Sequence, residues 1–349
     1  MSQINSAKDI VISVIGFNSP FGSEINNFLK LENEKFREST LIVDYDPQKY
    51  LKPKGQRFLN KATLVYCNVA FQAIHNRQLE TKIQSNPERV GLYDGTELSN
   101  LEDCFVFDLT AKNIGPDRVS PMKAPSTIAN AAASQMAIQA GIKGPNFSVC
   151  AGMAGSLQAL DIACLHLKQE FIEYSIVGST EVRNDYQQSI HLGLNLGEME
   201  SSPEIGISFL LERRESLMSD KRIPLASIKT IFSETFTAEN QSLESFLIDT
   251  IIKLNSNSPF DLIIISGGVH MINQKELENI FEEQDLHMKV LYPENQIGAM
   301  DNAGGMLGIA KGISIFHEES KEKTEFEHIL VISIDHSSTI IYTVIKKEN

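Results

Sequence analysis

The stretch Gly144-Pro145-Asn146-Phe147-Ser148-Val149-Cys150-Ala151-Gly152-Met153-Ala154-Gly155-Ser156-Leu157 decides the fold. It reads as a short buried strand, Phe147 to Cys150, a turn of small residues, and an apolar helix from Ala154 to Lys168. A sharp strand-to-helix turn points one side chain into a cavity and aims the helix amides at the same place. Enzymes put nucleophiles there, because the positive helix end lowers a thiol's pKa. The residue at the tip here is Met153, which has no ionisable proton and forms no acyl ester. The expectation is the architecture of an acyl-transfer site without its chemistry.

Outward from this turn, apolar runs alternate with helical patterns. Upstream lie strands at Asp9 to Gly16 and Glu88 to Tyr93, with a further strand expected at Leu41 to Asp44. Helices are expected at Ser23 to Leu31, Ala62 to His75 and Ser126 to Ala140, the last capped by Ser126 or Thr127 and closed by Gly141. Residues 45–60 read as a surface loop. Downstream, strands follow at Glu173 to Gly178 and Ile205 to Glu212. The second half of the chain repeats the alternation. It has strands at Leu225 to Phe232 and Asp261 to Ser266, helices at Ser242 to Leu254, Gln274 to Glu283 and Asn302 to Phe316, and a hairpin of Ile329 to Ile334 with Thr339 to Ile345. Strands apolar on both faces, alternating with helices, predict an α/β chain with covered sheets. No Pro/Ser-rich linker divides it, so the halves 1–215 and 216–349 are expected to share one core.

Composition narrows the function. The chain has 349 residues, 42% of them hydrophobic, and a net charge of −14, which argues against non-specific nucleic-acid binding. It also makes a poor landing surface for an acidic acyl carrier protein, so a neighbouring chain is expected to supply any basic docking patch. Cys67, Cys104, Cys150 and Cys164 are scattered, with no spacing for a disulfide framework or a zinc site. No cofactor or metal is expected. The start carries no secretory pattern and no apolar run is long enough to span a bilayer, so a cytoplasmic location is expected. Gly304, Gly305 and Gly308 lie inside a helical pattern with no Gly-Lys-Ser/Thr ending, which points to close helix packing and not to a phosphate loop.

Several blocks, in order, resemble the β-ketoacyl synthases of the thiolase fold: IVISVIGFNSPFG, NPERVGLYDGTE, VSPMKAPSTIANAAASQMAIQAGIKGPNFSV, SIVGSTE, PEIGISFLLER and GAMDNAGGMLGIAKGI. The third block, the run into the turn, is the most specific. The resemblance implies a thiolase-like fold, two related α/β halves layered α-β-α-β-α. It also implies that the strand Phe147 to Cys150 pairs with its equivalent across a dimer axis. A catalytic member uses a cysteine as acyl acceptor and two histidines that promote decarboxylation and stabilise the enolate oxygen.

Each of those positions is changed here. Met153 takes the cysteine's place. Ser266, followed by Gly267-Gly268-Val269-His270, takes the first histidine's place. The second histidine's turn reads Gly298-Ala299, with Glu294 where a lysine is usual. The family's Gly-Phe-Gly-Gly lid becomes Asp335-His336-Ser337-Ser338. This pattern resembles the chain-length factors, non-catalytic partners of active ketosynthases in polyketide and aryl-polyene pathways. The resemblance implies an obligate heterodimer with a catalytic ketosynthase, a product tunnel along the interface, and contact with acyl carrier protein mainly through that partner.

Two other readings stay open. Cys150, with His270 or His336, could serve an acyltransferase or hydrolase, although a buried free cysteine usually acts as a small hydrophobe. A self-pairing structural homodimer is the other.

Overall fold

The computed structural model describes residues 9–31, 40–43, 45, 49, 51–52, 56–97, 99–193, 203–237, 241–286, 288–318 and 326–348. Ten strands form one hydrogen-bonded series: β1 (Ile10–Asn18), β2 (Val90–Thr96), β3 (Asn146–Cys150), β4 (Tyr174–Glu181), β5 (Ile205–Arg213), β6 (Ala226–Thr235), β7 (Leu262–Ile265), β8 (Lys289–Leu291), β9 (His328–Ile334) and β10 (Thr339–Lys347). The principal helices are α1 (Lys61–Arg77), α2 (Leu101–Asn113), α3 (Ala131–Ala140), α4 (Gly155–Lys168), α5 (Asp185–Gly193), α6 (Leu243–Asn257), α7 (Gln274–Glu283) and α8 (Gly304–His317).

The strand order is β3-β2-β4-β5-β1-β6-β10-β9-β7-β8. It is the same five-strand arrangement written twice. In the first unit β2 runs parallel to β3 and β4, while β5 is antiparallel to β4 and β1. In the second, β7 runs parallel to β8 and β9, while β10 is antiparallel to β9 and β6. The units touch edge to edge only where Ile10 to Ile12 pair with Ile228 to Ala226.

Side-chain alternation then sets the layers. Ile264, Ile329 and Val331 join α4 and α8 in the central core, with Ile207 and Phe209 from the other sheet. The intervening residues Ile263, Ile265, Leu330 and Ile332 face outward under α6 and α7. Val90, Leu92 and Ile176 likewise pack under α1 and α3. The result is the predicted α-β-α-β-α stack, with α4 and α8 buried between two sheets.

Local sequence explains most boundaries. Asn60 caps α1 by accepting from the Thr63 amide at 2.8 Å, and Gln78, left-handed at φ 63°, ends it. Ser242 and Asn273 cap α6 and α7 in the same way.

Four expectations are corrected. The segment Phe147 to Cys150 is not buried: β3 ends the series, pairs among the described residues only with β2, and leaves Phe147 43% exposed. Leu41 to Val43 forms no strand; the Ile42 amide instead donates to the Glu204 carboxylate at 2.7 Å, and Asp44 lies outside the described residues. The helix expected from Ser23 is only a turn, Ile25–Phe28. The helix expected from Ser126 starts at Ala131, because Ala124–Thr127 forms a separate 3-10 turn and Ile128 is extended.

Candidate functional site

The site is built at the N-termini of the two buried helices, which meet at the centre of the stack. After β3, the chain turns at Gly152 (φ 52°), makes one 3-10 turn over Gly152–Ala154, and enters α4 at Gly155. The second unit repeats the move: Asp301–Ala303 is a 3-10 turn leading into α8 at Gly304. The two entrances are tied together. The Ser156 amide donates to Asn302 Oδ1 at 2.6 Å, the Ser156 hydroxyl donates to the Asn302 carbonyl, and Asn302 Nδ2 donates to the Ser179 hydroxyl at 3.1 Å. A Cβ on Gly305 would lie 2.5 Å from Leu157, so the helices cross where only glycine fits.

Met153 stands at the tip as expected, buried at 2% exposure. Its amide is the group a helix N-terminus would offer to a developing oxyanion. Here that amide donates to the Asp335 carboxylate at 2.8 Å. Asp335 is 5% exposed, and its other oxygen accepts from the Ser337 amide at 2.8 Å. A Cβ on Gly152 would fall 2.0 Å from Asp335 Oδ1, so the turn and the carboxylate fit each other. The Ser333 hydroxyl donates to the Met153 carbonyl from the same strand end. The hole that would receive a negative substrate atom already holds one.

Of the other positions that the sequence singles out, Ser266 and Glu294 bind backbone groups. Ser266 is fully buried, and its hydroxyl donates to the Gly304 carbonyl at 2.7 Å. Glu294 accepts from the amides of Gly267 (2.9 Å), Val269 (3.2 Å) and Met300 (3.3 Å), which fastens the turn after β7 to the loop before α8. Burial pushes its carboxyl up to about 7, against the pull of those three amides. Ala299 is exposed on the intervening loop.

More acids crowd the same entrance. Asp301, left-handed at φ 40°, is raised by burial, with Arg183 pulling the other way. Glu181 is raised by burial and then by Asp301 and Glu97. Glu97 is held up to about 7 by burial, Asp301 and Asp335.

The rival cysteine does not have a nucleophile's surroundings. Cys150 is exposed on the β3 edge, and its thiol is pushed up by desolvation and by Asp94. A catalytic thiol needs a cation or helix end beside it, and Asp94 supplies the opposite charge. His270 and His336 are brought together, with ring centroids 5.3 Å apart, and both are exposed.

Asp335 acts across 182 positions of sequence on Met153, a pairing that no spacing announces. The one signal was an aspartate in place of a glycine in the altered lid. Replacing Asp335 by alanine leaves the buried Met153 amide unpaired, so we expect a loss of about 1–3 kcal/mol in urea denaturation.

Residues 39–197 match the family model of the β-ketoacyl synthase N-terminal domain. The 3-oxoacyl-[acyl-carrier-protein] synthase 2 of Vibrio harveyi is 25% identical over 192 residues, 50% of this chain and 46% of that protein. The chain thus spans about half the length of the curated relatives it matches. Two solved structures are similar over nearly the whole chain. One is AntDE:AntF, a type II PKS acyl-carrier protein in complex with its ketosynthase (TM-score 0.77, 16% identity, 97% of this chain and 99% of that one). The other is the ishigamide ketosynthase/chain length factor (TM-score 0.74, 17% identity, 98% and 100%). Two repeated sheets around two buried helices define a thiolase-like ketosynthase fold. Residues 39–197 are thus similar to the N-terminal domain of that family, and the chain as a whole has that fold.

Proposed function

We propose that this chain is a non-catalytic, chain-length-factor-like subunit. It pairs with an active ketosynthase and shapes the closed end of an acyl tunnel in polyketide, aryl-polyene or related fatty-acyl synthesis. Its halves, residues 1–215 and 216–349, form one rigid wall of that tunnel, and acyl carrier protein docks mainly on the partner, away from this chain's net charge of −14.

The observation that carries this reading is the Asp335 carboxylate on the Met153 amide. It stands with three further losses: Ser266 and Ala299 in place of the histidines, and Glu294 in place of the lysine. The similarity to a ketosynthase/chain length factor structure supports it at the level of fold. The surface supports the pairing. β3 presents an unpaired edge, and Phe105, Val106, Leu109, Ile128, Ile138 and Phe147 are exposed apolar side chains. An open edge strand carrying an exposed ring, on a surface with further exposed apolar side chains, invites another chain.

Co-expression with a ketosynthase that keeps its cysteine and both histidines tests the proposal. The expected result is co-purification, and elongation of a carrier-bound acyl chain by the pair but not by this chain alone. Condensation of malonyl units by the isolated chain would overturn it. Phe147→Asp on β3 is expected to weaken the pair by about 100-fold, measured by sedimentation, since a charge at a strand-pairing centre removes an aromatic anchor.

A further inference from the structure

The repeated architecture exposes one place where the two units differ in filling. In the first unit, the space between the edge strand β3 and the outer side of α4 is packed with rings. Tyr93 stacks on Phe147 with centroids 5.9 Å apart and planes 3° from parallel, and its hydroxyl meets His166 Nδ1 at 2.7 Å. The His166 ring sits edge-on to both. In the second unit, the corresponding space lies between the edge strand β8 and α8. Its residues are smaller: Leu291 on the edge strand and Ile315 on the helix. Where Phe147 and His166 stand in the first unit there is no ring here; Tyr292 and Phe326 line the sides, and a cleft of about 380 Å³ is left open. That is within the lower range of small-ligand sites, ~300–1,000 Å³.

The cleft has a sided chemistry. Leu262 and Ile297, both buried, form its floor, and the half-buried Leu291, Ile315 and Phe326 turn their remaining apolar surface into it. Lys289 and Lys311 stand at its rim, and neither has an acidic partner among the described residues. The acid on the rim, Glu318, is engaged by Lys30 at 3.8 Å. In a chain of net charge −14, two ammonium groups with no acidic partner among the described residues, set over an apolar trough, form a local positive site.

We infer that this cleft binds a small amphipathic anion, a straight medium-length acyl chain ending in a carboxylate. The apolar trough takes the hydrocarbon, where burial of each methylene is favourable, and the lysines take the carboxylate through charge-assisted hydrogen bonds. The site lies on β8, at the far end of the strand series from β3, so it remains open when β3 is covered by a partner. Its chemistry is independent of the proposed function.

Calorimetric titration of the purified chain with decanoate, decanol and decyltrimethylammonium tests it. The expected result is saturable one-to-one binding of decanoate, at least about tenfold tighter than either of the other two. The double variant Lys289→Gln/Lys311→Gln is expected to weaken decanoate by about tenfold or more and leave decanol unchanged. Ile315→Phe, which fills the trough as the rings do in the first unit, is expected to abolish binding with an unchanged circular dichroism spectrum and Tm. Equal affinity for the cationic amphiphile, absence of decanoate binding, or affinity insensitive to both variants would overturn the assignment. So would capture of an acidic carrier protein through the two lysines without decanoate uptake, which would make this face a protein-docking site.

Discussion

A chain carrying Met153→Cys gains a thiol at the turn and still transfers no acyl group. Acylation from a labelled acyl carrier protein should stay at least about 10⁴-fold below that of a catalytic ketosynthase. Two losses combine to set that figure: one oxyanion-stabilising donor is worth ~10²–10³ in rate, and positioned acid–base groups ~10²–10⁴. The donor is spoken for, since the Met153 amide is held by Asp335 at 2.8 Å. On the proposed reading the acid–base groups are replaced: Ser266 donates to the Gly304 carbonyl, and Ala299 has no proton to give. The new thiol would also sit beside a buried carboxylate, which disfavours the thiolate. Adding Asp335→Gly to Met153→Cys frees the amide but restores no histidine, so any recovery should be no more than ~10³-fold. Likewise, a pair whose catalytic subunit has lost its cysteine should not be rescued by Met153→Cys. Acylation of the single variant at a rate near that of an active ketosynthase would defeat the claim that the chemistry has been dismantled at several points.

The stack was legible because its strands are continuous β-branched runs and its buried helices are apolar and glycine-rich. Leu262–Ile265, His328–Ile334 and Gly304–His317 could hardly be read otherwise. The helix Leu101–Asn113 gave no such signal, because it buries no residue and exposes Phe105, Val106 and Leu109 together. Without a core-facing stripe there is no period to detect. The edge strand Lys289–Leu291 is three residues long, below what alternation can register. β3 misled for the converse reason: an apolar strand reads as buried whether its cover is its own chain or another.

For the site, sequence singles out positions that the fold does bring together, and misses the contacts they make. Met153, Ser266 and Glu294 do gather at the two helix entrances. Their new roles depend on side chains meeting backbone amides across the fold. Glu294 stands out only as lying where a lysine is usual, and nothing local shows that it accepts three amides from two loops. Asp301 and Glu181 do not stand out at all, yet the fold buries both. Such roles are set by which loop ends converge, and local sequence does not encode convergence.

That buried acid cluster should make the protein more stable in mild acid than at neutral pH. Glu294 has an ordinary carboxyl value of 4.5 and is held near 7 in the folded chain by burial. Between those values the folded state binds more protons than the unfolded state, so stability falls as pH rises. The contribution is full below about 4.5 and is lost as pH passes through about 7; its size is ~3 kcal/mol for this one group. Glu97, also near 7, and Asp301 and Glu181, both raised, act in the same direction. They are close enough to one another that their separate effects do not add. Glu294→Gln removes one titration while keeping an acceptor for the Gly267 amide. At pH 8 the variant should therefore be more stable than the parent by up to ~3 kcal/mol, and at pH 5 no more stable, since there the parent carboxyl is protonated. Urea denaturation of both proteins at pH 5, 6, 7 and 8 measures this directly. A parent whose stability rises over that interval, or a variant that is weaker at pH 8, would mean that the three amides outweigh desolvation and hold Glu294 charged.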